Sequence, residues 1–260
     1  MEALTQSVTA AIQSSDYPQL SLVFTSQWQS LGQGEQRTLA AHFIKSAVAS
    51  STFLPDAFKN AQMMTVITTT LGHLPPTVDG AADNVLRQRI FDYKVNEEED
   101  YSTAAQILSG VRMETNEGSV YYMTPIERCD VFVKVAECYL EEDLTVEAEG
   151  AVTKAGTIIE TSGISFKTND DDDDNNNDDD NNKAKNKTDE QTMTLLLRYK
   201  STYARILDAN RKFLNAAMKY HDLSTAYKYT DAIDEEDLLI MLGKAVTCAI
   251  LSPNSAQRQR

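Results

Sequence analysis

The sequence predicts an all-α protein made of helical hairpins, and four observations carry that prediction. Prolines punctuate the first half at 18, 55, 75, 76 and 125, and none follows until Pro253; such a stretch suits long helices. Apolar residues recur at helical spacing through most of the chain. Sustained period-two alternation is lacking, and no Asn-Gly or Asp-Gly hairpin turn joins two alternating runs. Finally, three segments resemble one another: Tyr101-Ser-Thr-Ala104-Ala105, Leu144-Thr-Val-Glu147-Ala148 and Phe213-Leu-Asn-Ala216-Ala217. Each places a large apolar residue four positions before an alanine. Ala105 and Ala148 lie 43 residues apart, and Ala148 and Ala217 lie 69 apart. If Thr161–Lys187 is set aside as an insertion of 27 residues, the second gap becomes 42. A period near forty, with two helices per unit, is that of helical-hairpin solenoids. On spacing alone, an irregular helical domain is the alternative.

The elements follow in order. Leu20, Phe24, Trp28 and Leu31, in steps of four, four and three, predict one helix. A second starts at Pro55 and runs through Phe58, Gln62 and Val66 toward Gly72. Gly32-Gln-Gly34 lacks a third glycine in place, so it reads as a loop between helices rather than a dinucleotide fingerprint. Thr124-Pro125 opens a third helix with Thr124 as N-cap and Val131, Val135, Cys138 and Tyr139 on one face. Asp143 is expected to cap a fourth, through Val146, Ala151 and Val152 to Gly156. Leu195, Tyr199, Tyr203, Ile206 and Leu207 stripe a fifth, and Phe213, Ala217 and Tyr220 a sixth. The last spans Asp234 to Leu251, with acidic residues at its positive N-terminal end.

The run Asn169–Asn182 contains only Asp and Asn, 8 of them Asp. It cannot bury apolar surface and its charges repel, so the segment 161–188 is expected to be a disordered acidic loop. It lacks the glycine and terminal glutamate of an EF-hand loop.

Composition narrows the function. Net charge is −15, and −7 without the eight aspartates, which argues against nucleic acid as a partner. No apolar run reaches the length a membrane span needs, and residues 1–13 lack the basic and apolar regions of a signal peptide. Three scattered cysteines, Cys129, Cys138 and Cys248, without a CxxC spacing, suit buried free thiols in a reducing compartment.

The sequence carries none of the common catalytic or metal-binding motifs. His42, His73 and His221 form no HExxH or paired-His spacing, and no Walker-type or GxSxG motif occurs. Glu97-Glu98-Glu99-Asp100, Glu141-Glu142-Asp143 and Asp234-Glu235-Glu236-Asp237 lie at expected helix starts, where capping and dipole compensation explain them better than a catalytic pair. Tyr121-Tyr122 reads either as an exposed anchor for a partner or as buried loop aromatics. No catalytic, cofactor-binding or metal-ligating residue is assigned. The protein is expected to be no enzyme, to need no cofactor, and to work through its surface.

Longer blocks then carry a resemblance. Val133-Lys-Val-Ala-Glu-Cys-Tyr-Leu-Glu-Glu-Asp-Leu-Thr-Val-Glu-Ala-Glu149, Tyr199-Lys-Ser-Thr-Tyr-Ala-Arg-Ile-Leu-Asp208, Arg211-Lys-Phe-Leu-Asn-Ala-Ala-Met-Lys-Tyr220 and Lys244-Ala-Val-Thr-Cys-Ala-Ile-Leu251 resemble, in order, the subunit-four family of the COP-9 signalosome; Ala104–Gly110 matches more weakly. The resemblance spans about residue 90 to the end. It implies a right-handed solenoid of TPR-like hairpins leading into a PCI domain. Residues 1–160 would form the helical arm and 189–260 the helical part of the PCI domain, with the family's winged helix missing beyond Arg260. It also implies a non-catalytic scaffold and substrate-sensing subunit, cytoplasmic and nuclear, in the complex that removes Nedd8 from cullins. Partners would be other signalosome subunits and, as substrate, a cullin–RING ligase. A PCI subunit of the proteasome lid and a free-standing helical-repeat adaptor are the alternatives.

Overall fold

Helices account for the regular structure throughout, and a single β-bridge joins Glu114 to Tyr122 among the described residues. The computed structural model describes residues 1–164, 179–225 and 234–253, with side chains of 179–190 left aside. Two compact units emerge, 1–123 and 124–260. The middle of the segment 161–188 lies outside the described residues.

The first unit contains α1 (Glu2–Ser14), α2 (Tyr17–Leu22), α3 (Gln33–Ala49), α4 (Phe53–Phe58), α5 (Ala61–Gly72), α6 (Ala82–Asn96) and α7 (Tyr101–Ser109). Its centre is α3, whose Leu39, Ala40, Phe43, Ile44 and Ala47 are fully buried. Phe43 meets Phe24 edge-on with centroids 5.0 Å apart and Phe53 at 6.3 Å; Trp28 stands 5.3 Å from Phe24. Aromatic side chains of this size bury large apolar areas, so this cluster supplies much of the unit's stability.

Three sequence expectations are corrected here. The helix expected over Leu20–Leu31 passes from α2 into a π turn at Val23–Gln27 and a 3-10 turn at Trp28–Ser30. The spacing nevertheless holds for burial, because Leu20, Phe24 and Trp28 all point inward. The helix expected from Pro55 to Gly72 is two helices: Asn60 takes an extended backbone and accepts the N–H groups of Gln62 and Met63, capping α5. That break leaves Gln62 exposed and puts Met63 in the core. Gly32-Gln-Gly34 is a helix start: Gly32 occupies the N-cap and donates its N–H to Glu35.

The second unit holds α8 (Pro125–Glu141), α9 (Thr145–Ser162), α10 (Asp179–Ala209), α11 (Phe213–Ser224) and α12 (Glu235–Leu251). Helix α8 opens with a capping box, Thr124 receiving the Glu127 N–H while Glu127 accepts the Thr124 N–H. The helices form a stack of pairs. Cys129 and Val133 of α8, Ala155 of α9 and Leu195 of α10 share one core; Ala204 and Leu207 of α10, Ala216, Ala217 and Tyr220 of α11, and Ala245 and Cys248 of α12 share the next. Helix α10 serves both.

The three alanine segments fall where the repeat requires. Ala105, Ala148 and Ala217 are buried on α7, α9 and α11, each the second helix of a pair. Gly156 does not end α9. A Cβ there would stand 2.6 Å from the Tyr199 hydroxyl of α10, so the glycine marks the place where two helices cross closely. Val146, in the first turn of α9, is 76 % exposed.

The turns also share a geometry. Ser15, Asp143 and Arg211 adopt left-handed backbone with φ of 54°, 57° and 56°. In each case the following N–H reaches back five residues: Asp16 to Ala11, Leu144 to Tyr139 and Lys212 to Leu207, at 2.8–2.9 Å. This is the Schellman closure of a helix end. Asp143 is therefore the turn residue, and Leu144 takes the N-cap position assigned to Asp143 from sequence.

Candidate functional site

Burial sets the state of the three cysteines. Burial pushes the Cys129 thiol up to about 11, with Asp130 adding to the shift, Cys138 up to about 12 beside Glu137 and Glu141, and Cys248 up to about 11 near Asp208. All three thiols are buried and unpaired with one another. A protonated thiol is a poor nucleophile and a poor metal ligand. Among the described residues no group of three or more His, Cys, Asp or Glu side chains could hold a metal ion, and no helix is long and apolar enough to cross a membrane.

The carboxylate clusters behave as structural charges. Asp100 accepts the Thr103 N–H at 3.1 Å and caps α7. Burial alone would raise its carboxyl, but the bonds from Thr103 and the charge of Lys94 hold it below its ordinary value. Glu141 receives Arg205 at 2.8 Å. Glu235, Glu236 and Asp237 fill the first turn of α12, where the helix dipole favours them.

Charge also sets the stacking register in the second unit. Arg198 of α10 reaches Asp130 and Glu137 of α8, at 3.0 Å and 2.5 Å, and Arg205 reaches Glu141 one step further. Arginines seven residues apart thus meet carboxylates seven and four apart on a parallel neighbour. Asn210 and Lys212 close on Glu149 of α9. Sequence reading missed this ladder, because each rung spans more than sixty residues.

Two surfaces remain. The first is on α12, where Ala245 and Cys248 pack inward while Leu239, Ile240, Leu242, Val246, Ile250 and Leu251 are all exposed. The repeat shows what such a face is for. When α12 and α8 are matched at their C-terminal ends, both being 17 residues long, Ala245 and Cys248 correspond to Val135 and Cys138. Leu239, Val246 and Ile250 then correspond to Cys129, Ala136 and Leu140 of α8. On α8 those residues are buried, and Cys129 packs on α9 and α10. Three of the six exposed α12 residues thus stand at positions that are buried on α8. Apolar patches of this kind mark protein contacts.

The second surface is the connection between α7 and α8. Glu114 N–H bonds the Tyr121 carbonyl at 2.9 Å and Met123 N–H bonds the Glu114 carbonyl at 3.1 Å, so the chain closes into a compact loop. Tyr121 decides between the two sequence readings of Tyr121-Tyr122: it is 2 % exposed and pins the loop from inside. Its hydroxyl donates to Asp83 at 3.1 Å and accepts the Val78 N–H at 2.9 Å and Arg112 at 3.0 Å. Burial raises the phenol above its ordinary value, so it stays a donor. Asp83 is itself wholly buried on the first turn of α6.

Comparison with known proteins agrees with this architecture. Residues 81–232 match the family model described as PSMD12/CSN4, N-terminal. The chain is similar to COP9 signalosome complex subunit 4 of Arabidopsis thaliana, 32 % identical over 179 residues, which cover 68 % of this chain and 37 % of that protein. The same subunit of Drosophila melanogaster is 28 % identical over 162 residues, covering 62 % and 31 %. That of Emericella nidulans is 28 % identical over 163 residues, covering 63 % and 31 %. The matched region thus spans about a third of the length of these relatives. With an all-helical stack of hairpins and a model match over more than half its length, the chain belongs to the PSMD12/CSN4 N-terminal family.

Proposed function

We propose that this chain is a non-catalytic scaffold subunit of the COP9 signalosome, supporting removal of Nedd8 from cullins in cullin–RING ligases. The observation that carries the reading is the α12 face: a helix of the stack that packs on one side and offers six large apolar side chains on the other. A protein whose thiols are buried and whose carboxylates cap helices and bind arginines is suited to holding partners rather than to turning over a substrate. The curated relatives carry the name of a signalosome subunit. In this reading residues 1–160 form an arm that senses the cullin–RING substrate, and 189–260 the helical part of a PCI domain. Other subunits are the partners, neither nucleic acid nor membrane is bound, and the protein works in cytoplasm and nucleus.

The test is affinity purification of the natural protein from its own cells, with mass spectrometry of what accompanies it. Signalosome subunits and cullins support the reading. The family description names a second lineage beside the signalosome subunit, so proteasome-lid subunits would move the protein to that assembly. Replacing Leu239 and Ile250 by glutamate should abolish co-purification while leaving the circular dichroism spectrum unchanged. Undiminished assembly would remove α12 from the argument.

A further inference from the structure

The connection from Gly110 to Thr124 is far longer than the turns inside the helix pairs, which occupy 97–100, 142–144 and 210–212. Helix–helix connections of this length are uncommon in compact domains, and ordered ones usually carry function. This one is ordered from both ends. Arg112 donates its N–H to Asn84 Oδ1 at 3.0 Å, and Asn84 Nδ2 donates to the Arg112 carbonyl at 2.8 Å. The Arg112 guanidinium lies 5.2 Å from the centre of the Tyr121 ring, donates to the Pro75 carbonyl at 2.9 Å, and faces Asp83 Oδ2 at 3.4 Å. At the tip, Asn116 accepts the Gly118 N–H and Ser119 accepts the Tyr121 N–H, both at 3.1 Å.

A buried carboxylate is an expensive way to secure a loop. Asp83 is fully desolvated, and an apolar side chain of similar volume there would cost less. What the cluster achieves is a fixed main chain under an exposed tip. Val120 is 51 % exposed between Ser119 and the pinned Tyr121, and Glu114 and Glu117 are exposed beside it. Neither glutamate forms an ion pair among the described residues. An aliphatic side chain and two unpaired carboxylates, held on a rigid frame, make a surface that binds without first being ordered.

We propose that the 114–120 tip is a preorganised docking point for a protein surface that offers an apolar socket for Val120 rimmed by lysine or arginine. The Asp83–Arg112–Tyr121 cluster positions the tip and does not touch the partner. This rests on the scaffold reading above and adds a second docking element, in the other unit of the chain.

The experiment places a photo-crosslinking amino acid at 120 in the natural full-length protein, expressed in its own cells, with the exposed position 22 as control. The expected result is an adduct to one polypeptide, at least about tenfold above the control, mapped to a lysine- or arginine-rich segment. Glu114→Lys with Glu117→Lys should cut that adduct about tenfold, since each 1.4 kcal/mol is a factor of ten, and leave the melting temperature unchanged. Tyr121→Phe should also cut it, though the tip residues are intact. An adduct no stronger than the control in a complex that still contains the chain would overturn the docking point and leave the scaffold reading standing. So would an adduct indifferent to charge reversal, or one to nucleic acid. Absence of the chain from any complex would overturn both.

Discussion

The two units are stabilised in different ways. In 1–123 a central helix is surrounded, and Phe24, Phe43, Phe53 and Trp28 fill the space. In 124–260 the described helices stack around two successive cores joined by α10. Small residues, Ala148, Ala155, Ala216, Ala217 and Ala245, sit where helices meet, and ion pairs fix the register. A surrounded core leaves few large apolar side chains outside it, whereas in the second unit large exposed aliphatics gather on α12.

Substitutions at six positions test that contrast, from the largest destabilisation to the expected gains. Phe43→Ala removes the ring at the middle of the first unit and should cost about 3–5 kcal/mol in chemical denaturation. A loss below about 1 kcal/mol would mean that the core is not centred on α3. Gly156→Ala puts a methyl group against the Tyr199 hydroxyl and should cost about 1–3 kcal/mol; the double variant with Tyr199→Phe should recover part of it. Gly150→Ala on the same helix meets open space and should be neutral or stabilising. Arg198→Ala leaves Asp130 and Glu137 without their shared cation. Because all three are about a third exposed, the expected loss is reduced to about 1–2 kcal/mol, and Arg198→Lys should not restore it fully, since lysine lacks the two-pronged geometry. Asp143→Gly and Arg211→Gly relieve left-handed backbone and should each gain about 0.5–1 kcal/mol. A loss at either site would show that the side chain, rather than the backbone, matters there.

Acid should act at the α7 cap. The Asp100 carboxyl is held below its unfolded value, so its contribution is present above about pH 4 and fades as pH falls through the depressed folded value. Thermal melts of the protein should therefore decline below pH 4, with a shallower slope in Asp100→Asn.

Local signals in the sequence were read well where one helix face or one cap decides the outcome. Thr124-Pro125 gave α8 its start, and Ala105, Ala148 and Ala217 gave the pairing of helices. The π turn after α2 escaped notice because its apolar spacing is that of a helix. The Asn60 cap escaped because Pro55 already offered a start. Tyr121 stood open between two readings for a different reason. Its partners, Val78, Asp83 and Arg112, come from three places along the chain, and no period connects them. The α12 surface lay between these cases: the apolar residues were visible, but which of them faces solvent depends on α11.

The left-handed turns have a consequence for how such a protein changes over time. Serine, aspartate and arginine occupy the same backbone position at 15, 143 and 211, so the turn is specified by the two helices that meet at it and not by the residue at its corner. Exchanges there among serine, aspartate, arginine and glycine should change stability by about 1 kcal/mol or less. An alanine such as Ala148 or a glycine such as Gly156, caught between helices, has almost no neutral neighbours. The stack should therefore tolerate least at its smallest side chains and most at its bends.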